Sequence, residues 1–107
     1  MNVVFLNSVE RDLLELKDYV LKNFGKIAWR ATYKKIKDAA ARRKKFPLEG
    51  HVPDELASLN VTQYRQVIAG MNRIIYEVRG QTLYIHIVCD TRKDMQSLLT
   101  RRLLRAD

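Results

Sequence analysis

Apolar residues recur at two different spacings along the chain, and the spacings divide it into helical and extended parts. The first part repeats apolar positions every three or four residues, at Val9, Leu13, Leu16, Val20 and Phe24. This spacing predicts one face of an amphipathic helix that begins near Ser8. Gly25 indicates its end, because glycine readily adopts the left-handed backbone conformation that terminates helices.

A second helix is predicted from about Lys26, where the helical spacing resumes. Its inner face is made by Trp29, Tyr33, Ile36 and Ala40. Two helices joined by so short a turn are expected to pack as an antiparallel hairpin. The short β-branched run from Val3 to Leu6 predicts a strand before the hairpin.

The rest of the chain reads as a loop, three strands and a final helix. Pro47 to Gln63 holds both prolines and is predicted to be a loop, with a helical turn over Asp54 to Leu59. The strands are Tyr64 to Ala69, Met71 to Val78 and Gln81 to Cys89, and helical spacing returns from Thr91 to Leu104. This order predicts one α+β domain over residues 1–107, with an N-terminal strand and helical hairpin packed on an antiparallel sheet of three or four strands, and a C-terminal helix.

The loop between the last two strands fixes which side chains share a face of the sheet. A two-residue loop at Arg79-Gly80 pairs Val78 with Gln81. One face is then an apolar core face: Ile74, Tyr76, Val78, Leu83, Ile85 and Ile87. The other face is mixed and solvated: Arg73, Ile75, Glu77, Thr82, Tyr84 and His86.

The arginines of the strands, Arg65 and Arg73, are expected to mark this second face. Arg73 becomes a direct cross-strand neighbour of His86 in the predicted register. It either holds an anion there or pairs with Glu77 or Asp90.

The net charge of +8 is unevenly placed. Between Lys22 and Lys45 there are ten basic residues and a single acid, Asp38, whereas the rest of the chain holds ten basic and eleven acidic residues. Such a field favours polyanions, either nucleic acid or an acidic protein partner. The alternative interpretation is an ordinary solvated helix face.

Other chemistry is sparse. The single Cys89 forms no internal disulfide, which suits a reducing compartment, and we expect it to pack rather than act as a nucleophile. No membrane span or signal peptide is visible, so a cytoplasmic protein is expected. His51 and His86 lack companions at ligand spacing, and neither a metal nor another cofactor is expected.

The stretch YRQVIAGMNRIIYEV, followed by IHIVCDTRKDMQSLL, resembles the RelE/ParE superfamily of toxins from type II toxin–antitoxin modules. The matching short motifs follow one another in the family's order: Tyr64-Arg65, Arg73 to Tyr76, Ile85 to Val88, and Arg92 to Asp94. The upstream FPLEGHVPDELASL is similar to the family's linker. The resemblance covers nearly the whole chain and implies the RelE/ParE-like fold.

The resemblance implies one of two activities. RelE-like members cleave mRNA in the ribosomal A site, which requires a base for the 2′-hydroxyl, a cation for the phosphate and an acid for the leaving oxygen. Arg65, Arg73 and Arg92 match the basic positions of that branch, and His86 is the candidate base. The second lysine of that branch is missing, because Val67 stands there. Its tyrosine is missing too, because Leu98, or its neighbours Ser97 and Leu99, fall at that position.

The ParE branch lacks this catalytic set and inhibits DNA gyrase by binding, which blocks replication and growth. The missing acid/base pair and the basic helices favour this branch, with a RelE-like mRNA endonuclease as the alternative. The target-binding residues are expected on the sheet, the last turn and the end of the second helix: Arg65, Arg73, Arg92, Lys93, Arg42, Arg43, Lys44 and Lys45.

The resemblance also implies partners. They are a cognate antitoxin similar to ParD or RelB, whose C-terminal segment folds as it wraps the toxin, and DNA gyrase with its DNA. A toxin–antitoxin heterotetramer is expected, and no membrane partner. A simple nucleic-acid-binding domain is a third interpretation. Trp29 and Tyr33, placed on the inner face of their helix, argue against a single-strand binder with an exposed stacking platform.

Overall fold

The computed structural model describes residues 1–104, so the last three residues of the predicted domain lie outside the described part of the chain. Its elements in chain order are β1 (Asn2–Phe5), α1 (Asn7–Lys45), α2 (Asp54–Ala57), β2 (Tyr64–Ala69), β3 (Asn72–Arg79), β4 (Thr82–Asp90) and α3 (Met95–Leu99), which continues as a π-helical turn over Thr100–Leu104. The predicted α+β class and order of elements are confirmed.

The long helix α1 changes direction at Gly25. Gly25 has φ 89° and ψ 179°. Residues other than glycine rarely adopt such a positive φ. A straight helix would hold Val9 and Ile36 about 40 Å apart, yet both lie in one core cluster. Asp12, in the first half, accepts from the amide of Val88 at the end of β4. The two halves therefore pack on the sheet as the predicted hairpin.

The sheet has the strand order β1-β4-β3-β2. The last three strands form the antiparallel meander that the sequence predicts, and β2 has the predicted bounds. β1 pairs with β4 in parallel, so the whole sheet is mixed rather than antiparallel. The C-terminal helix begins later than predicted, at Met95, because Asp94 caps it by accepting from the backbone N–H of Ser97 at 3.2 Å.

The predicted register of the β3–β4 hairpin is wrong. Arg79 pairs with Thr82, so the loop is formed by Gly80 and Gln81. The prediction placed the loop one residue too early, at Arg79-Gly80, and so paired each residue of β3 with the wrong residue of β4. Gly80 has φ 57°, which suits a turn position with positive φ.

A β-bulge at His86 shifts the register a second time. Beyond it Ile75 faces Ile87, and Arg73 faces Cys89 rather than His86. The extra residue of a bulge turns the rest of its strand by one position. Ile87, predicted for the first core face, therefore lies on the second.

Both faces of the sheet are covered, which corrects the prediction of a solvated second face. The first face packs against the α1 hairpin, in a cluster of Val9, Ile36, Ala40, Ala69, Ile74, Tyr76, Leu83, Ile85 and Val88. The second face packs beneath α2 and α3, in a cluster of Leu56, Tyr64, Ile75, Ile87, Cys89, Met95 and Leu99. Burial of this second apolar surface stabilises the loop and C-terminal helix on the sheet.

The linker after α1 approaches the sheet closely at Gly50. A Cβ atom there would lie 2.6 Å from the hydroxyl of Tyr76 and 2.7 Å from the carbonyl oxygen of Gln66. The same hydroxyl accepts from the Gly50 N–H at 3.0 Å and donates to the Pro47 carbonyl at 2.8 Å. The linker is thus held by hydrogen bonds to the centre of the sheet. Among the described residues, no helix has the length and hydropathy required to cross a bilayer.

Candidate functional site

Arg65 and Arg73 lie on opposite faces of the sheet. Arg65 pairs with Tyr76, a residue of the first core, and so shares its face. Arg73 lies opposite Cys89, a residue of the second core. The expectation that both arginines mark the second face is therefore wrong for Arg65.

Arg65 binds the linker. Its Nη1 donates to the carbonyl oxygen of Gly50 at 2.8 Å and to that of Leu48 at 3.3 Å. Backbone carbonyls carry no net charge, so these hydrogen bonds fix the path of the loop without neutralising the charge of Arg65. The local structure thus gives Arg65 a positioning role.

Arg73 is engaged by neutral and acidic partners. Its Nε donates to Gln66 Oε1 at 2.8 Å, and its two terminal nitrogens donate to the two oxygens of Glu55 at 3.2 Å each. The side chain is only 12% exposed. Hydrogen bonding from Arg73 lowers the pKa of Glu55. The expected partners, Glu77 and Asp90, are therefore replaced by Glu55, which α2 places against the end of the sheet.

His86 is a half-buried partner of Glu77. Its Nε2 lies 3.0 Å from Glu77 Oε1, and the ring of Tyr64 meets it edge-on at 5.2 Å between centroids. Burial lowers the pKa of His86, outweighing the opposite effect of Glu77. Arg73, its predicted cross-strand neighbour, is not among the groups that shift this pKa.

Cys89 packs in the second core, as expected. Burial raises the pKa of its thiol to about 11. The thiolate is the nucleophilic form of cysteine, and it is scarce at neutral pH when the pKa is so high. Within residues 1–104, no group of three or more histidines, cysteines or acidic side chains comes together as a set of metal ligands.

Arg92 and Lys93 line a cleft of about 720 Å³ between the first half of α1 and α3. The Nε and Nη2 of Arg92 each donate to one oxygen of Asp90 at 2.8 Å. Hydrogen bonds to Asp90, and then to Tyr19, raise the pKa of Arg92, and the pKa of Asp90 is lowered in return. Further along the cleft Arg102 binds Asp12 at 2.9 Å. The cleft is therefore of mixed charge.

The basic end of α1 is partly neutralised by the linker. Both oxygens of Glu49 accept from Arg42, at 2.7 and 2.8 Å, and Oε1 also accepts from the buried Arg43 at 2.6 Å. Lys44 and Lys45 are exposed. In the described part of the chain these two lysines form no ion pair.

The model of the family described as the ParE toxin of the type II toxin-antitoxin system, parDE, matches residues 3–95. The chain belongs to this family. A comparison with curated proteins finds no match.

Membership of the ParE toxin family confirms the resemblance inferred from the short sequence motifs of the strands. It makes the chain the toxin of a type II toxin–antitoxin module, which has a cognate antitoxin as its partner. The target-binding role of the eight basic residues stays a prediction. The structure brings Arg92 and Lys93 to one cleft and Arg42 and Arg43 to one carboxylate, whereas it separates Arg65 from Arg73.

Sequence reasoning missed three residues that accept hydrogen bonds from the predicted target-binding arginines of the ParE-family toxin. They are Glu49, Glu55 and Gln66, and two of the three lie in the segment predicted as a loop. No helical or strand period links a loop carboxylate to an arginine of a distant strand. A local signal existed only for Glu49, which follows the basic end of α1 closely in the sequence.

Proposed function

We propose that this ParE-family toxin acts by binding DNA gyrase and thereby blocks replication, without cleaving RNA. The observation that carries the proposal is the separation of Arg65 and Arg73 on opposite faces of the sheet. RNA cleavage requires cation, base and acid around one phosphate. Arg65 is engaged by linker carbonyls and Arg73 by Glu55, an arrangement that supports roles in shaping the toxin.

The half-buried state of His86 also supports a binding mechanism. Its side chain is only 15% exposed and lies against Glu77 and Tyr64. In this proposal the histidine is a structural partner of Glu77. The catalytic base that RNA cleavage would need is thus not supplied by the candidate from the sequence.

Inhibition by binding needs an exposed surface. We assign target contact to exposed cations, namely Arg92 and Lys93 beside the cleft and Lys44 and Lys45 at the end of α1. These side chains lie on α1 and on the turn before α3, and they are exposed without any rearrangement of the core. In this proposal the antitoxin neutralises the toxin by covering part of the same surface.

A second candidate function, ribosome-dependent mRNA cleavage, is favoured by one observation. The cleft beside Arg92 also contains Tyr19 and Asp90, so a cation, a phenol and a carboxylate are close together. The lowered pKa of Asp90 keeps it ionised at neutral pH, which suits a base and not an acid. Tyr19 would have to serve as the acid, which makes Tyr19→Phe the discriminating variant.

Two assays distinguish the candidates. Purified toxin is added to gyrase with plasmid DNA, and separately to translating ribosomes with end-labelled mRNA. We expect trapped DNA cleavage complexes and no cuts in the mRNA, with the Tyr19→Phe variant as active on gyrase as the wild type. Cuts at codon positions that disappear in Tyr19→Phe would overturn the proposal.

The assembly with the antitoxin is a separate proposal. The family resemblance implies a heterotetramer, and the charge of +8 favours an acidic antitoxin segment. The mass of the co-expressed complex in solution, measured by light scattering, checks the stoichiometry. A mass equal to one copy of each chain would reject the heterotetramer.

A further inference from the structure

The second half of α1 carries a straight row of cations that the fold does not use. Lys26, Arg30, Lys37 and Lys44 are all exposed. At 3.6 residues per turn, their positions fall within a sector of about 40° on the helix surface and extend over about 27 Å. We call these four residues the basic row.

The positive charge of the basic row is not compensated. Among residues 1–104, none of its four members pairs with a carboxylate. The single acid of this half, Asp38, lies about 100° away around the helix and binds Lys34 at 2.7 Å. The ammonium of Lys37 lies 5.4 Å from the centre of the Tyr33 ring. Tyr33 is thus exposed beside the row, and not inside the helix pair as its spacing predicts.

The surroundings of the row indicate the chemical class of its partner. A protein interface usually has an apolar centre, whereas the row, within the described residues, has only one exposed aromatic side chain beside it, Tyr33, which is 41% exposed. The most exposed apolar side chain of this half, Ile27, lies about 85° away around the helix and is 84% exposed. A surface that offers mainly charge matches a partner recognised mainly by its charge.

We propose that the basic row binds the phosphate backbone of duplex DNA. A duplex carries about one negative charge per 1.7 Å of its axis, so about 16 phosphates lie alongside a row of this length. The four cations can each meet a phosphate without reading bases. The inference rests on the proposed function in one respect, since gyrase acts on duplex DNA, but the binding itself requires no gyrase.

The test compares two variants of equal net charge. In the row variant Lys26, Arg30, Lys37 and Lys44 are replaced by glutamine. In the control variant Lys17, Lys22, Lys34 and Lys35, four exposed lysines outside the row, are replaced by glutamine. Each variant loses four positive charges. Thermal unfolding of both confirms that they fold.

Binding to a labelled duplex of about 20 base pairs is measured by fluorescence anisotropy at several salt concentrations. With four phosphate contacts, the affinity of the wild type should fall about 150-fold between about 50 and 200 mM salt, a log–log slope of about −3.6. The control variant should keep most of this slope. The row variant should bind at least about tenfold more weakly at the lower salt and show a much flatter slope.

Three results would overturn the inference. They are no binding by the wild type at low salt, an equal loss in the two variants, and row-dependent binding of a glutamate-rich peptide that exceeds binding of the duplex. The last result would assign the row to an acidic protein partner. DNA binding by a toxin that fails to inhibit gyrase would reject the proposed function alone, because this assay contains no gyrase.

Discussion

The second face of the sheet and the second half of α1 use the same kind of side chain in opposite ways. In the sheet, Arg73 is largely buried and bound to Glu55 and Gln66. On α1, the basic row is exposed and without an acidic partner in the described chain. One arginine stabilises the fold, and the other cations produce an external field. A count of basic residues therefore gives the amount of charge but not how much of it is available to a partner.

The largest loss of stability is expected from a substitution that uncovers the second face of the sheet. Leu56 in α2 is fully buried in the second core, and Leu56→Ala should lower the free energy of unfolding by about 3 kcal/mol. Leu59→Ala, at an exposed leucine of the same segment, should change it by less than about 0.5 kcal/mol. Urea unfolding measures both. Equal stability of the two variants would mean that α2 does not cover the sheet.

The next effect separates paired from exposed arginines. Arg73→Ala leaves Glu55 and Gln66 without their donor, and should cost about 2–3 kcal/mol of stability. Arg92→Ala removes an exposed pair with Asp90 and should leave the unfolding curve close to that of the wild type. A larger loss for Arg92→Ala than for Arg73→Ala would reverse the comparison.

A pH effect on stability is expected from the half-buried His86. Because the pKa of His86 is lowered by burial, the unfolded chain takes up this proton first as the pH falls through about 6.5. The contribution to stability is therefore complete above that pH and decreases below it, until the pKa of the folded state is passed. His86→Gln can still donate to Glu77 but does not titrate. Its loss of unfolding free energy between about pH 7.5 and 5.5 should be smaller than that of the wild type. An identical loss would contradict this assignment.

The smallest effect on stability is expected for the basic row. Its side chains are exposed and unpaired in the described chain, so each glutamine substitution should change the free energy of unfolding by less than about 0.5 kcal/mol. Urea unfolding of the four single variants checks this. A substantial loss in any of them would show that its side chain supports the fold.

Local signals were sufficient to predict the elements of the fold. The helical spacing up to Phe24 and the stop at Gly25 placed the hairpin, and the β-branched runs placed the last three strands with small errors at their ends. The hairpin register failed because two neighbouring pairs of loop residues both contain Gly80. The bulge at His86 has no distinct sequence signal, so the reversal of Ile87 could not be predicted.

The candidate site was less accessible to sequence reasoning. Arg73 was correctly placed on the second face, but its acceptor Glu55 lies in α2, whose position depends on the packing of Leu56 in the second core. Arg65 was assigned to the wrong face because the pairing of β2 could not be fixed from the sequence. Both errors concern contacts between distant segments, which only the assembled core determines.

The most direct test of the central claim compares gyrase inhibition by the row variant and the control variant. Supercoiling by gyrase is titrated with each protein under one salt condition. We expect the control variant to inhibit like the wild type and the row variant to require at least about tenfold more protein. A folded row variant that inhibits gyrase as well as the wild type would contradict the claim that the basic row makes contacts required for inhibition.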